Sequence, residues 1–151
     1  MILGLGVDVV EIARIARAME RLGERFAQRI LRPEEMRDTL TPTYVAGRFA
    51  AKEALVKALG TGFTQGIGFH DFAVVSTPSG APHGLLFGAA HERFRQLGGS
   101  ALHLSISHSR EHAVAMAIVE GESTSSPVRA CRTIALENIF EGVPGGSMRL
   151  P

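Results

Sequence analysis

The sequence predicts an α+β protein in which a mainly antiparallel sheet packs against a long helix. Its 151 residues are enough for one domain, and 45% of them are hydrophobic, which is enough to build a core. The patterns follow the order strand, helices, strand, helix and hairpin. A doubly wound parallel sheet would instead show strands and helices in regular alternation.

The first half of the chain predicts one strand and several helices. Residues 2–12 are rich in Val, Ile and Leu and predict a strand, and helical segments follow over residues 12–23 and 24–40. Within the second segment, Pro33 and the acidic residues after it fit the first turn of a short helix. Residues 41–60 predict the long helix, because they are rich in strong helix formers and end on a glycine.

The second half predicts the remaining strands. Residues 61–68 form a glycine-rich connection, residues 69–77 predict a strand, and residues 78–84 predict a turn from their Pro and Gly content. A short strand leading into a helix is expected over residues 85–99. Residues 100–120 predict a hairpin of two strands around a polar turn.

The composition changes at Gly121, so we expect a domain over residues 1–120 and an extension over residues 121–151. Gly, Ser and Pro dominate both ends of this extension, and residues 130–140 can form a short helix between them. We expect neither end to add to the core, the middle piece, if ordered, to lie against its own or a neighbouring subunit, and the extension to be dispensable for the chemistry.

Charge and cysteine content exclude several classes of protein. The net charge of +1 gives no general drive toward nucleic acid or membranes. The single cysteine, Cys131, excludes an internal disulfide framework and fits a reducing compartment. No apolar run approaches the length of a membrane span, and the start lacks the basic region of a signal peptide. We therefore expect a cytoplasmic protein.

Asp8 is the first candidate for a functional side chain. With a period of two, it shares one face of the first strand with Gly4 and Gly6. Glycines inside a strand mark the close approach of a ligand or of another backbone. The alternative is that Asp8 caps a neighbouring turn and the glycines only relieve packing.

The long helix carries Glu53 and Lys57 one turn apart on the second of two apolar sides. A solvated intrahelical pair is the simpler interpretation, but the apolar surroundings disfavour it. We expect the second side to be covered by a partner subunit. Arg48 and Lys52 lie on a third line of the helix and point either to a phosphate or to water.

His108 ends an apolar row of the hairpin just before its turn. The other histidines are interpreted as packing or hydrogen-bonding residues. No two histidines have the helical spacing of a zinc site, and the phosphate-binding loop and dinucleotide-binding fingerprints are both missing. Two carboxylates with a nearby lysine favour Mg²⁺ and chemistry on a phosphate or pyrophosphate.

Three segments together resemble the bacterial holo-acyl-carrier-protein synthase family, the short group I 4′-phosphopantetheinyl transferases. They are "GLGVDVVEIARI", "RFAAKEALVKALGTG" and "SISHSREHAVAMAIVE", in this order along the chain. The resemblance implies the phosphopantetheinyl transferase fold and a homotrimer with its sites between subunits. It also implies the Mg²⁺-dependent transfer of 4′-phosphopantetheine from coenzyme A to a serine of apo-acyl carrier protein, a reaction that serves fatty acid biosynthesis.

The resemblance also implies a role for individual residues. Asp8 and Glu53 would bind Mg²⁺ on the coenzyme A diphosphate, and Lys57 would assist at the leaving phosphate. Either Glu53 or a water on the metal would take the proton from the carrier serine. The coenzyme A phosphates would contact Arg48 and His108, and the acidic helix of the carrier would meet Arg14, Arg21 and Arg25.

The sequence departs from the family pattern at Ala81, where many members have a basic residue, and in the extension after residue 120. Two alternatives to the transferase remain. One is another Mg²⁺-dependent phosphotransferase, and the other is a non-catalytic trimer that only binds coenzyme A or carrier protein.

Overall fold

The computed structural model describes residues 1–122, and the fold is built on a three-stranded antiparallel sheet. In chain order the strands are β1 (Ile2–Glu11), β2 (Phe72–Ser76), β3 (Pro82–Leu86), β4 (Gly99–His108) and β5 (His112–Gly121). The main sheet has the order β1-β5-β4, and β2 and β3 form a separate antiparallel pair. The predicted α+β class with antiparallel strands is confirmed.

Four α-helices cover the inner face of this sheet and its margins. They are α1 (Ile12–Leu22), α2 (Glu24–Ile30), α3 (Pro42–Ala58) and α4 (Gly88–Gln96), with 3₁₀ turns at Pro33–Glu35 and Phe69–Asp71. Thr41 caps the start of α3, because its side chain accepts a hydrogen bond from the Tyr44 backbone N–H. None of the described helices is long and apolar enough to cross a bilayer.

The two glycines of β1 let α3 lie directly on the sheet. A Cβ at Gly4 would overlap the carbonyl oxygen of Ala58, and a Cβ at Gly6 would overlap that of Ala54. Residues 113, 115 and 117 of β5 are alanines and are also buried under the helix. The glycines therefore serve the approach of another backbone, while Asp8 extends from the same face at the edge of the helix.

α3 is buried on both sides within its own chain, which corrects the expectation that a partner subunit covers its second side. Leu55 and Ala51 are fully buried, but so are Ala46 and Ala50 on the opposite side. The sheet packs on one side of the helix, and α1, α2 and β2 pack on others. A helix that is apolar all round is therefore a central helix of this fold.

The structure confirms the predicted turn at residues 78–80 and corrects the end of its predicted range at residue 84, because β3 begins at Pro82. Proline is tolerated as the first residue of a strand, where no ladder hydrogen bond is lost. Gly84 lies against Leu55 and Leu102, where a Cβ would come within 3.0 Å of a leucine methyl group. At residues 82–84, composition alone predicted a turn, whereas packing requires a strand.

β5 ends at Gly121, whose backbone exchanges hydrogen bonds with Met1 at the start of the chain. The predicted extension from residue 123 onward, with its short helix at 130–140, lies outside the described residues.

Candidate active site

Asp8 and Lys57 meet at the edge of the sheet where α3 ends. Lys57 Nζ donates hydrogen bonds to Asp8 Oδ1 at 2.7 Å and to the Val7 carbonyl oxygen at 3.1 Å. The Lys57 side chain is about half exposed, whereas that of Asp8 is mostly covered. The lysine therefore bonds across to β1 and does not form an intrahelical pair with Glu53.

Glu53 belongs to the same group of charges. Burial raises the pKa of its carboxyl above the ordinary value, and the negative charge of Asp8 raises it further. Lys57 and Arg14 act in the opposite direction and lower this pKa. Two carboxylates that repel each other, with cations beside them, form a site prepared for additional positive charge.

The donor chemistry of this pair fits a hard divalent cation. Asp8 and Glu53 supply carboxylate oxygens, the ligand type that Mg²⁺ prefers, and a Mg²⁺ site commonly takes only one or two carboxylates plus substrate phosphates. No cluster of three or more His, Cys, Asp or Glu side chains that could hold a metal ion occurs among the described residues. The site resembles one that is completed by an anionic substrate.

A basic groove runs between α1, α2 and α3 beside this group. Its cavity has a volume of about 500 Å³, and Ile15, Phe26 and Phe49 form part of its lining. The cationic lining residues are Arg14, Arg17 and Arg21. Phe49 lies one turn before Glu53 on α3, so the groove and the carboxylates share one side of the helix.

The structure separates the predicted carrier-binding arginines. Arg14 and Arg21 line the groove together, but Arg25 does not, because Gly23 ends α1 and Arg25 follows on α2. Arg17 takes part in the lining, although the resemblance implied no role for it.

Arg48 and His108 line a second cavity, of about 230 Å³, between α3 and β4. Arg48 Nε donates to the Val74 carbonyl oxygen at 3.3 Å and Nη2 donates to Ser76 Oγ at 3.2 Å. Its guanidinium lies 4.3 Å from the centre of the Tyr44 ring. Burial lowers the pKa of Arg48, and the nearby Arg37 lowers it further.

Lys52 does not reach phosphate or water as the sequence indicated. Its side chain is fully buried and donates to Glu35 Oε2 at 2.6 Å, to the Ile30 carbonyl at 2.6 Å and to the Phe69 carbonyl at 3.2 Å. The expectation failed because Glu35, which lies 17 residues earlier in the chain, folds back to neutralise it. Lys52 is thus a structural cation.

Three residues of the second cavity region were missed by sequence reasoning. Tyr44 supplies a ring for two guanidiniums, since Arg37 also lies 4.0 Å from its centre. Within residues 1–122, neither Arg37 nor Arg48 has a carboxylate within 4.0 Å. Arg37 is the second missed residue and Ser76 is the third. The only sequence signal for Ser76 was that the β2 pattern ends in a polar residue. Two adjacent cations without acidic partners favour an anionic ligand.

The two cavities lie on opposite sides of α3. Arg48 and Lys57 are nine residues apart, which corresponds to a rotation of about 180° around a helix. Lys57 contacts β1 at one edge of the main sheet, and Arg48 shares its cavity with β4 at the other edge. The predicted site residues therefore form two separate groups in one chain.

Comparisons with known proteins identify the family. A profile of the 4′-phosphopantetheinyl transferase superfamily matches residues 4–117. A holo-[acyl-carrier-protein] synthase of Desulfovibrio desulfuricans is 55% identical over 122 residues, which cover 80% of this chain and 98% of the relative. A similar protein of Vibrio parahaemolyticus is 50% identical over 79% of this chain and 98% of its own length.

Solved structures agree with the sequence matches. The crystal structure of holo-[acyl-carrier-protein] synthase from Neisseria meningitidis superposes with a TM-score of 0.72 at 35% identity, covering 80% of this chain and 99% of that one. The Helicobacter pylori synthase in complex with coenzyme A gives a TM-score of 0.68 at 34% identity, over 77% of this chain and 99% of that one. By sequence and by fold, this chain belongs to the holo-[acyl-carrier-protein] synthases of the 4′-phosphopantetheinyl transferase superfamily.

Proposed function

We propose that the protein transfers 4′-phosphopantetheine from coenzyme A to a serine of apo-acyl carrier protein and releases adenosine 3′,5′-bisphosphate. The observation that carries this proposal is the group of Asp8, Glu53 and Lys57 beside a basic groove. A charged site for a diphosphate and a surface for a second protein are both needed for such a transfer. In this chain, which matches the family, the charged group and the groove are the candidates for these two parts.

Asp8 and Glu53 are the residues that would hold Mg²⁺. Their mutual repulsion and their oxygen donors fit that ion, as described above. When bound, the cation supplies positive charge that offsets the negative charge developing on the reacting diphosphate.

The side chains of the chain itself account for the proton and for the leaving group. A serine hydroxyl is a weak nucleophile, so a base must take its proton as its oxygen bonds to phosphorus. Glu53 is the base in this proposal, because before a cation binds, burial and the charge of Asp8 raise the pKa of its carboxyl. The phosphorus–oxygen bond to adenosine 3′,5′-bisphosphate breaks, and Lys57 stabilises the charge left on that oxygen.

The basic groove is the proposed docking surface for the carrier. Arg14 connects the two functions, because it lines the groove and its charge also acts on Glu53. An acidic helix bound along α1 would therefore bring its serine close to the base. Arg21 lies further along the same groove, and Arg25 follows on α2 outside its lining.

Arg48 and His108 are proposed to bind phosphates of coenzyme A. Since they lie on the opposite side of α3 from Lys57, we infer that one coenzyme molecule contacts these two groups on two different copies of the chain. An exposed apolar row on β1, formed by Leu5, Val7 and Val9, supports the presence of a covering subunit. The family resemblance favours a homotrimer as the closed assembly.

The single cysteine of the chain fits a reducing compartment, and we place this reaction in the cytoplasm.

The test incubates the protein with apo-acyl carrier protein, coenzyme A and Mg²⁺, and follows the carrier by mass spectrometry. We expect a gain equal to one phosphopantetheine, mapped to one serine. An unmodified carrier that still binds would support the non-catalytic alternative, and a different mass gain would support another phosphotransferase.

A further inference from the structure

The buried pair of Glu35 and Lys52 has no part in the proposed reaction. Both side chains are fully shielded from solvent, and their charged atoms lie 2.6 Å apart. A buried ion pair gives little stability over an apolar pair of similar size, so its presence calls for another explanation. The hydrogen bonds of Glu35 supply this explanation, because they connect Glu35 to Arg48 by two routes.

The first route passes through β2. Glu35 Oε2 accepts from Lys52 and from the Arg32 backbone N–H, the latter at 2.8 Å. Its other oxygen, Oε1, accepts from the Val74 backbone N–H at 2.9 Å. The carbonyl of the same Val74 residue accepts from Arg48 Nε at 3.3 Å. One carboxylate oxygen therefore fixes the peptide segment to which the arginine is attached.

The second route passes through Tyr44. Its hydroxyl donates to the backbone carbonyl of Glu35 at 2.6 Å. Its ring lies beside the guanidinium of Arg48, and both residues line the cavity that also contains His108. Side chain and backbone of Glu35 therefore act on Arg48 from two directions.

We propose that Glu35 is a positioning residue for coenzyme A, with Lys52 as its buried hydrogen-bonded counter-charge. This inference rests on the proposed function of the Arg48 cavity. A guanidinium already fixed in its binding geometry loses less conformational entropy when an anion arrives, so affinity depends on what holds it. Glu35 contacts no substrate atom and acts through Arg48 and Tyr44.

Two variants separate this role from a general contribution to folding. In Glu35→Gln, the amide oxygen is expected to face Lys52 and the Arg32 N–H, which turns its NH₂ group toward the Val74 N–H and breaks the first route. Tyr44→Phe keeps the ring and removes only the second route. Phe72→Leu is the control, because Phe72 is fully buried on β2, the strand that also carries Val74, and makes no polar contact with Arg48.

The experiment measures the dissociation constant for coenzyme A by calorimetry, the KM for each substrate and the melting temperature of each variant. For Tyr44→Phe we expect coenzyme A to bind about threefold to tenfold more weakly, the effect of one lost hydrogen bond. For Glu35→Gln the loss should be about tenfold or more. The KM for carrier should stay within about twofold in both, and Phe72→Leu should lower the melting temperature without weakening coenzyme A binding.

Unchanged coenzyme A affinity in a folded Glu35→Gln or Tyr44→Phe protein would overturn the positioning role and leave the proposed function intact. Equal effects on both substrates, or an equal effect in Phe72→Leu, would reduce Glu35 to a structural residue. If Glu35→Gln does not fold, Tyr44→Phe decides alone. Failure of the unmodified protein to bind coenzyme A would overturn the proposed function as well.

Discussion

At the scale of single residues, Glu53 combines two properties that a base requires. Burial and the charge of Asp8 raise its pKa, which strengthens its hold on a proton, and Lys57 and Arg14 keep the carboxylate form accessible. The same carboxylate is a donor for a cation, so the residue is placed for two roles at once.

Replacing Glu53 by glutamine should therefore abolish most of the activity. Glu53→Gln keeps the shape of the side chain and removes both the charge and the base, so we expect kcat to fall by about 10²–10⁴-fold. The matched control is Glu92→Gln on the exposed face of α4, which should transfer normally. The measurement is carrier modification at saturating Mg²⁺, with circular dichroism to verify folding. Near-normal turnover of folded Glu53→Gln would remove Glu53 from the reaction.

Asp8→Asn should differ from Glu53→Gln in its response to metal. Asp8 acts in the proposal as a ligand and as the partner of Lys57, but not as a base. We expect the Mg²⁺ concentration for half-maximal activity to rise and excess Mg²⁺ to restore part of the rate. An Mg²⁺ requirement identical to that of the unmodified protein would show that Asp8 does not bind the metal.

Periodicity and helix spacing predicted Asp8, Glu53 and Lys57 as candidates. Asp8 shares a strand face with two glycines, and Glu53 and Lys57 are charged residues on an apolar side of a helix. They did not predict Tyr44, Glu35 or Arg37. The contacts of these residues depend on how the 3₁₀ turn at Pro33–Glu35 packs against α3 and β2. Local patterns carry no information about such long-range contacts.

At the scale of elements, the position of the site depends on the close packing of β1 on α3. Gly6→Ala would force a methyl group into the carbonyl oxygen of Ala54 and separate Asp8 from Lys57. We expect the free energy of unfolding to fall by at least about 3 kcal/mol, as for severe overpacking.

Gly47→Ala is the control for that substitution. Gly47 is inside α3, and its added Cβ would meet only a methyl group of Ile106 at 3.4 Å. Alanine in a helix interior is favoured over glycine, so stability should stay equal or rise by up to about 1 kcal/mol. Denaturant unfolding measures both variants, and a Gly6→Ala protein of normal stability would contradict the described packing.

α1 presents the groove in which we place the carrier. Arg14→Glu should raise the KM for carrier about tenfold and leave the KM for coenzyme A unchanged, because charges on a docking surface act mainly on association. Raising the salt concentration should also raise the KM for carrier of the unmodified protein. Arg95→Glu, on the exposed surface of α4, is the control. Equal changes in both KM values would exclude this surface.

Boundaries of most elements followed from the sequence, and β3 shows where this failed. Its Pro and Gly content is typical of a turn, yet Pro82 opens a strand and Gly84 makes room for Leu55 and Leu102. The glycines of β1 were similarly ambiguous, since a ligand and a helix backbone leave the same trace in a sequence. In both cases the packing partner determines the role of the glycine, and that partner is distant in the sequence.

At the scale of the whole molecule, one chain carries the Arg48 cavity and the group of Asp8, Glu53 and Lys57 on opposite sides of α3. Leu5, Val7 and Val9 are 60%, 51% and 58% exposed on the outer face of the sheet, which is unusual for side chains of this kind. On β5, Val114 and Met116 extend the same apolar face opposite Val9 and Val7. We therefore expect the working enzyme to be an assembly in which this face is covered.

Mixed assemblies of two inactive variants test most directly whether the two halves form one active site. Arg48→Ala damages the coenzyme half and Glu53→Gln damages the reacting half, on opposite sides of α3. The two chains, carrying different tags, are co-expressed, and assemblies that contain both are purified in two steps and assayed for carrier modification. We predict that activity returns to roughly a third of the unmodified level, because every mixed trimer joins two intact halves at one of its three interfaces. Activity no higher than that of the separate variants would contradict a site shared between subunits.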